Sequence, residues 1–261
     1  MDVKANLTYL SPQSGPAAYV SGAPGAEETP TGTYLQVPVR IQDARALPVA
    51  PALDAEGFCL VAHETGDIDF TREAEIAEVY YPRVAAFLTR TFSARRAVVF
   101  DHNIRIDSVQ PGIRQPARHV HSDYTARSAA RRAIELLDAD DIIEGLQRRF
   151  LQVNFWRPIM HPVETCPLAV ADVRSIPAED CVKVDIVYPD RRGEIIELKP
   201  RPTHRWFYFS AMTPAEALVF KGFDAAPRCT ARWTPHSAFD LPAQAGARPR
   251  ASIELRAMLF F

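Results

Sequence analysis

The sequence predicts a mainly β protein with flanking helices, folded as a double-stranded β-helix, that is, a cupin-like jelly roll. Beyond Gln152 the chain consists of seven or eight short apolar segments separated by Pro, Gly and Asp, without long helical segments between them. No internal repeat of about 20 to 50 residues is apparent, which argues against a solenoid or a propeller. We expect a single domain over residues 1–261, because barrels and sandwiches often reach this length.

The first part of the chain is predicted to contain an arm, two strands and a helix. Pro, Gly, Ser and Ala become frequent within residues 1–33, which are therefore predicted to form an irregular N-terminal arm or lid. An alternating run at 34–41 and an apolar run at 57–61 predict strands. Apolar residues at helical spacing predict a helix over 71–92, which Pro82 is expected to kink or divide.

The rest of the chain is predicted to be one further helical region among strands. A buried-type strand is expected at 97–102, and the composition of 126–149 predicts one or two helices. The later strands are predicted at 153–156, 168–173, 182–187, 194–197, 206–209, 217–220, 229–233 and 252–260. This order, a helical insert followed by closely spaced strands, favours the jelly roll over alternating βαβ units.

Composition excludes several classes of function. The 261 residues are 47% hydrophobic and 24% charged, with a formal net charge of -2, so no overall field favours nucleic acid or an anionic membrane. No secretory signal or membrane span is apparent, and the four cysteines form no CxxC pair, which is typical of reduced thiols. We expect a cytoplasmic protein that binds a small molecule and contacts neither nucleic acid nor membrane; the sequence leaves open whether it is a monomer or a homodimer.

The segment 118–123 carries the clearest chemical signal. His119, His121 and Asp123 occupy alternate positions of what resembles a strand, so their side chains point to one face. His121 and Asp123 would form a His-x-Asp pair that grips one side of a metal ion. With a distant histidine, such a pair gives the two-histidine, one-carboxylate face of non-haem Fe(II) oxygenases. Because His-x-Asp is frequent by chance, a structural role for these residues is the alternative.

Two further residues would complete such a site: a third metal ligand and a residue that binds a cosubstrate. Candidates for both lie after Asp123 in the sequence. His204 and His236 both qualify by distance, and His236 is preferred because it lies at a predicted strand end, before a final strand. An oxygenase that uses 2-oxoglutarate needs a cation for the distal carboxylate, which a planar guanidinium binds bidentately. Arg250 meets this need and Arg256 is the reserve, although a solvated arginine at a strand end is the alternative for Arg250.

Two polar residues are predicted to face the barrel interior. Asn154 and Trp156 alternate on one face of their strand, so the amide could donate to cosubstrate or substrate. Buried Asn and Trp residues are as often core residues that bond to backbone. His119 is expected to support the site from behind rather than to ligate the ion.

Several motifs, taken in order, resemble one known family. The motifs are Val153-Asn154-Phe155-Trp156-Arg157-Pro158, Pro162-Val163-Glu164-Thr165-Cys166-Pro167-Leu168-Ala169, Met212-Thr213-Pro214-Ala215-Glu216-Ala217, Lys221-Gly222-Phe223-Asp224, Pro235-His236-Ser237-Ala238-Phe239 and Arg250-Ala251-Ser252-Ile253-Glu254-Leu255-Arg256. Together they are similar to the CmcJ and NvfI group, from about residue 34 to the end. The chain departs from that group after the metal pair, at Tyr124–Ser128, and at Ala251, where the group often has Glu.

The resemblance implies an Fe(II)- and 2-oxoglutarate-dependent oxygenase with His121, Asp123 and His236 as ligands, and it favours Arg250 as the cosubstrate anchor. No catalytic residue beyond the ligands is expected. The substrate is predicted to be a small specialised metabolite, hydroxylated, desaturated, cyclised or peroxidised at an unactivated carbon, with contacts from Trp156, Tyr124 and His204. Two alternatives remain: a cupin-like metal dioxygenase or hydrolase that does not use 2-oxoglutarate, and a non-catalytic small-molecule-binding jelly roll.

Overall fold

Two β-sheets pack against each other in the structure, a computed structural model that describes residues 1–21, 29–64, 66–108, 110, 113–137, 148–227, 229 and 232–261. The strand order of the larger sheet is β1-β4-β12-β9-β14-β7-β11-β10-β2-β3, and that of the smaller one is β5-β13-β8-β15-β6. The strands are β1 (Val3–Leu10), β2 (Ala18–Val20), β3 (Thr29–Pro30), β4 (Tyr34–Asp43), β5 (Phe58–Ala62), β6 (Arg96–Ile106), β7 (His121–Ser122), β8 (Phe150–Pro158), β9 (Leu168–Ala171), β10 (Cys181–Val187), β11 (Arg192–Leu198), β12 (Trp206–Tyr208), β13 (Glu216–Asp224), β14 (His236–Ala238) and β15 (Ala251–Phe260). The predicted jelly roll is confirmed.

The helical region before β6 covers the outer face of the smaller sheet, whereas the helix that follows β7 packs against inner-face residues such as Phe260. The helical elements are α1 (Glu73–Glu75), a π-helical turn (Ile76–Tyr80), α2 (Tyr81–Thr91) and α3 (Ala126–Leu136), with 3-10 turns at Ala44–Ala46, Val173–Ser175 and Ala178–Asp180. The helix predicted over 71–92 is confirmed. Its backbone stays helical up to Pro82, so the proline does not divide it; a wide π turn precedes the proline, which lies in the first turn of α2. No helix in the described part of the chain has the length and apolar character needed to cross a membrane.

Side chains alternate along each strand of the smaller sheet, so its outer face is mainly apolar, whereas its inner face carries polar and charged residues beside apolar ones. On β15, Ile253, Leu255 and Leu259 are fully buried and pack with Val84 and Leu88 of α2. The intervening residues of β15 point to the interior between the two sheets. This interior contains the site described below.

The N-terminal segment differs from the predicted irregular arm. Strand β1 pairs antiparallel with β4 over its whole length, from Val3 opposite Ile41 to Leu10 opposite Tyr34. Leu7 and Tyr9 are fully buried in the core of the larger sheet. The prediction of an irregular arm or lid was wrong because the Pro- and Gly-rich composition begins only after β1. Strands β2 and β3 then pair with each other, and β2 extends the sheet beside β10.

Two other predictions concern residues that are only partly described. Helix α3 confirms the first half of the helical region 126–149; it begins at a capping box in which Thr125 and Ser128 each bond to the other's backbone. Residues 138–147 lie outside the described residues. The strand predicted at 229–233 also includes residues 230 and 231, which the structure does not describe.

Candidate metal centre

Two neighbouring strands bring the predicted metal-binding histidines together. Strand β14 lies between β9 and β7 in the larger sheet, and His236 is directly opposite His121 in the antiparallel register. Asp123 follows β7 by one residue. The polar atoms of His121, Asp123 and His236 all lie within 4.8 Å of one another. Strand pairing therefore produces a compact group of three ligand-type side chains from distant parts of the sequence.

Backbone carbonyls fix the orientation of both imidazoles. Nδ1 of His121 lies 2.7 Å from the carbonyl oxygen of His119, and Nδ1 of His236 lies 3.1 Å from that of Thr234. Each Nδ1 carries the proton and donates it to a carbonyl oxygen. Nε2 of each ring therefore keeps the lone pair that can bind a metal. The two Nε2 atoms lie 3.9 Å from opposite oxygens of Asp123. Two neutral imidazoles and one carboxylate in this arrangement suit Fe(II) and leave further coordination positions open.

Electrostatics keep the three groups in the protonation states that a metal requires. Burial, reinforced by the charge of His236, lowers the pKa of His121 to about 4. Burial opposes ionisation of Asp123, but the nearby Arg256 guanidinium and the two imidazoles outweigh it and hold the pKa of Asp123 well below its usual range. At neutral pH the histidines are neutral and the aspartate is charged, so no proton has to leave when a cation binds.

Two polar side chains hold Asp123 in place. The amide of Asn154 on β8 donates to Oδ2 of Asp123 and accepts in turn from Nε2 of Gln152, 2.9 Å away. Nη2 of Arg256 lies 3.7 Å from Oδ1 of Asp123, while Nη1 donates to Asp101 at 2.8 Å. The structure thus places Asn154 and Arg256, both expected near the cosubstrate, directly against the carboxylate of the group.

A pocket of about 340 Å³ opens onto the three ligand-type residues. It is lined by Arg105, Ala117, His121, Asp123, Trp156, Leu168, His236, Ala238, Arg250, Glu254 and Arg256. Arg250 is 1% exposed, with its guanidinium carbon 5.4 Å from the centre of the Trp156 ring. Its Nη1 donates to the carbonyl of Cys166 at 2.6 Å, while its Nε has no hydrogen-bond partner among the described residues. Burial lowers the pKa of Arg250 to about 10. A buried cation that forms no ion pair among the described residues fits an anionic ligand.

Two predicted substrate contacts lie outside this pocket. Nε2 of His204 lies 3.0 Å from Oδ2 of Asp180, and its ring stacks on Tyr9, within the core of the larger sheet. Tyr124 packs beneath α3 with Ala129 and Ala133. Neither lines the pocket, so their positions do not support the predicted contacts, whereas Trp156 does line it. His204 is also separated from the metal group, which leaves His236 as the third member.

His119 lies behind the centre, as expected, in a group that the sequence did not predict. The Tyr19 hydroxyl donates to the buried carboxylate of Glu197 and lies 2.7 Å from Nδ1 of His119. The ring of Tyr34 stacks on that of His119, 4.4 Å away. The segment leading to His121 is therefore held by residues from the N-terminal strands.

Sequence reasoning also missed Arg105 and Glu254, which line the pocket. Charged residues at alternate positions of otherwise apolar strands were the available signal: Arg250, Glu254 and Arg256 share the inner face of β15 or its start. Arg105 lies on β6, with its Cα opposite that of Ser252 on β15. The sequence does not show which strands are neighbours. It therefore did not predict that these charged residues lie together.

A jelly roll that places two imidazoles, one carboxylate and a buried arginine around one pocket defines the class of non-haem iron oxygenases that use a 2-oxo acid. Comparisons with known proteins agree. A family model described as "Oxidoreductase/YMDC permease-like domain" matches residues 7–260. The alpha-ketoglutarate-dependent dioxygenase phiK of Fungal sp. (strain ATCC 74256) is 31% identical over 223 residues, covering 80% of this chain and 79% of phiK.

Two further relatives share most of the chain. The Fe(II)/2-oxoglutarate-dependent dioxygenase nvfI of Aspergillus novofumigatus is 32% identical over 234 residues, covering 85% of this chain and 82% of nvfI. The hydroxylase/desaturase CTB9 of Cercospora beticola is 32% identical over 248 residues, covering 85% and 76% of the two chains.

A solved structure of the iron and alpha-ketoglutarate-dependent endoperoxidase NvfI superimposes with a TM-score of 0.87 at 27% identity, covering 99% of this chain and 98% of NvfI. The chain belongs to the CmcJ/NvfI-like family of Fe(II)- and 2-oxoglutarate-dependent oxygenases. Its cofactor is Fe(II) and its cosubstrate is 2-oxoglutarate. The two alternatives, a dioxygenase that does not use 2-oxoglutarate and a non-catalytic binding protein, are not favoured.

Proposed function

We propose that the protein oxidises a small specialised metabolite at an unactivated carbon, as a single cytoplasmic domain that forms a homodimer and contacts no nucleic acid. The relatives support this range of reactions, because CTB9 is named a hydroxylase/desaturase and NvfI an endoperoxidase. Hydroxylation, desaturation, ring closure and peroxide formation are the outcomes open to such a site.

Within that function, His121, Asp123 and His236 are proposed to hold Fe(II). The observation that carries the proposal is their convergence within 4.8 Å, with each Nδ1 tied to a backbone carbonyl. When bound together, Fe(II) and 2-oxoglutarate supply O₂ activation and removal of a hydrogen atom from carbon. The side chains orient the ion, and the buried surroundings of the pocket limit access of water.

Arg250 is proposed to bind the distal carboxylate of 2-oxoglutarate. It is deeply buried, it has no carboxylate partner among the described residues, and Trp156 flanks its guanidinium. Arg256, the reserve, is less suitable because Asp101 and Asp123 already compensate its charge. Asn154 is proposed to orient Asp123 rather than to bind the cosubstrate, and Trp156 to contact both cosubstrate and substrate.

Anaerobic spectroscopy tests this proposal. Adding Fe(II) and 2-oxoglutarate to the purified protein should produce a weak visible charge-transfer band from the chelated 2-oxo acid. His236→Ala should abolish the band, while His204→Ala, the matched histidine outside the pocket, should keep it. A band that survives in His236→Ala but disappears in His204→Ala would show that the third ligand is wrong.

A further inference from the structure

The pocket contains one arginine more than the cosubstrate requires. Arg105 and Arg250 both line it, yet neither forms an ion pair with a carboxylate among the described residues. Arg256 differs, because it lies near the carboxylates of Asp101, Asp123 and Glu254 at 2.8, 3.7 and 3.7 Å. Among the described residues, Arg105 and Arg250 therefore form no direct ion pair, although the Glu254 carboxylate in the same pocket attracts both guanidinium groups.

Each unpaired arginine is held by a backbone carbonyl. Nη1 of Arg105 donates to the carbonyl of Gln115 at 2.5 Å, as Nη1 of Arg250 does to Cys166 at 2.6 Å. These contacts fix the two side chains without neutralising them. Arg105 and Arg250 also repel each other, since the positive charge of each disfavours that of its neighbour. Like charges placed together in a desolvated site are costly unless anions join them.

The cosubstrate provides only one anionic group for these arginines. One carboxylate of 2-oxoglutarate, with the adjacent keto group, would bind the metal, which would leave the distal carboxylate as its single free anion. Arg250 is the better partner for that group because it is 1% exposed, whereas Arg105 is only half-buried. Arg105 lies on β6, an edge strand of the smaller sheet, and so reaches the pocket from its side.

We propose that Arg105 binds a carboxylate of the substrate that is oxidised, so that the enzyme selects small organic anions. This inference rests on the proposed function, because it assigns Arg250 to the cosubstrate. The substrate carboxylate would meet the free N–H groups of Arg105, and the rest of the molecule would lie toward the metal group, with Trp156 and Leu168 as apolar neighbours.

A binding experiment without turnover tests the proposal. The full-length protein is loaded with Ni(II), which replaces Fe(II) without supporting oxidation, and is saturated with 2-oxoglutarate. Fluorine NMR then compares 4-fluorobenzoate with the neutral 4-fluorobenzamide. We expect the wild type to bind the carboxylate about tenfold more tightly, as a charge-assisted hydrogen bond provides. Arg105→Met should remove this preference and leave 2-oxoglutarate affinity within about twofold.

Two further variants make the result specific. Arg192→Met removes the same charge from a side chain that is 74% exposed and does not line the pocket, so it should keep the preference for benzoate. Arg105→Lys keeps the charge and should retain part of the preference, which provides a test even if Arg105→Met fails to fold.

Several outcomes would overturn the proposal. Equal binding of the two probes by the wild type or by Arg105→Lys would exclude selection of an anion at Arg105. Benzoate binding only when 2-oxoglutarate is absent, or a large loss of 2-oxoglutarate affinity in Arg105→Met, would assign Arg105 to the cosubstrate instead. Failure of 2-oxoglutarate to bind the Ni(II)-loaded wild type would instead contradict the proposed function itself, and the inference with it.

Discussion

The two faces of the smaller sheet carry different kinds of side chain. The outer face of β8 and β15 presents Val153, Phe155 and Leu255 to the helical region around α2 and is mainly apolar, with Arg157 of β8 as the charged exception on these two strands. The inner face of the same strands presents Asn154 and Arg256, whose Cα atoms are paired. Residues one position apart therefore contribute to different properties: the outer face to stability through apolar burial, the inner face to metal and ligand binding. Substitutions on the two faces should separate these properties.

The largest effect is expected from a ligand on the inner side. His121→Ala should eliminate stoichiometric Fe(II) binding and oxygenase activity, because only two of the three donor groups remain. The apoprotein should stay folded, with a thermal transition and far-UV circular dichroism close to the wild type. Metal analysis of the purified variant measures the first effect. Stoichiometric metal in His121→Ala would remove this residue from the ligand set.

On the outer face, Leu255→Ala should reduce the free energy of unfolding of the apoprotein by about 2–5 kcal/mol, as truncation of a fully buried Leu does. Metal stoichiometry of the folded fraction should be unchanged. Urea denaturation provides the measurement. Leu35→Ala serves as control, since Leu35 is 39% exposed and its truncation should change the free energy of unfolding by about 0.5 kcal/mol or less. Similar losses for the two variants would contradict the assignment of stability to the outer face.

Arg250→Met sharpens the comparison, because it should weaken ligand binding without weakening the fold. We expect the Kd for 2-oxoglutarate to rise by about 10- to 100-fold, the loss of a charge-assisted contact. The free energy of unfolding should be unchanged or higher, since an apolar side chain replaces a buried cation whose Nε has no hydrogen-bond partner and which forms no ion pair among the described residues. Titration of the Fe(II) protein with 2-oxoglutarate and urea denaturation test the two statements. A clear loss of stability would show that Arg250 is structural.

Asn154→Leu should act on the metal through Asp123. Loss of the hydrogen bond to Oδ2 is expected to lower metal affinity by about 10- to 100-fold, the usual effect of removing a group that orients a ligand. Competition with a chelating dye measures this affinity. Val153→Ala, one residue away on the outer face, is the control and should leave affinity unchanged.

The smallest expected effect is on the pH dependence of stability, and it comes from His63, which packs against Phe155 on the outer face. Burial, with the charge of Arg157, lowers the pKa of His63 to about 4 in the folded state. Between that value and the unfolded pKa near 6.5, the unfolded chain binds the extra proton, so stability must fall as pH falls. We expect His63 to account for about 1 kcal/mol of stability lost between pH 7 and 5.5. His63→Gln should flatten this part of the stability–pH curve, and an unchanged slope would contradict the assignment.

Much of the fold could be predicted from local patterns. Strand alternation identified most strands of both sheets and placed His121 and Asp123 on one face, and helical spacing identified the helical region that contains Pro82. These features depend on neighbours a few residues apart, which the sequence displays directly. Strand β1 was missed because the Pro- and Gly-rich composition that follows it was extended to the whole segment.

Features that depend on which strands are adjacent could not be predicted in this way. From the sequence, the choice between His204 and His236 had to rest on predicted strand ends. In the structure, the register of β14 with β7 decides it, because His236 lies directly opposite His121. Arg105 approaches the pocket from a strand far from β15 in sequence, and Tyr19 reaches His119 from the N-terminal segment. These residues are close because of the order of the strands in the sheets. Strand order produces no periodic pattern in the sequence from which it could be predicted.

The pairing of His236 with His121 also restricts how the chain can change in length. Because successive side chains of a strand point to opposite faces, inserting or deleting one residue just before His236 would turn its imidazole away from Asp123. The sheet could still pair and the protein could still fold, but the ligand set would be incomplete. The number of residues before each ligand, odd or even, therefore matters as much as the identity of the ligand. An alignment of relatives with a gap misplaced by one position in these two short strands would assign the wrong residues to the site.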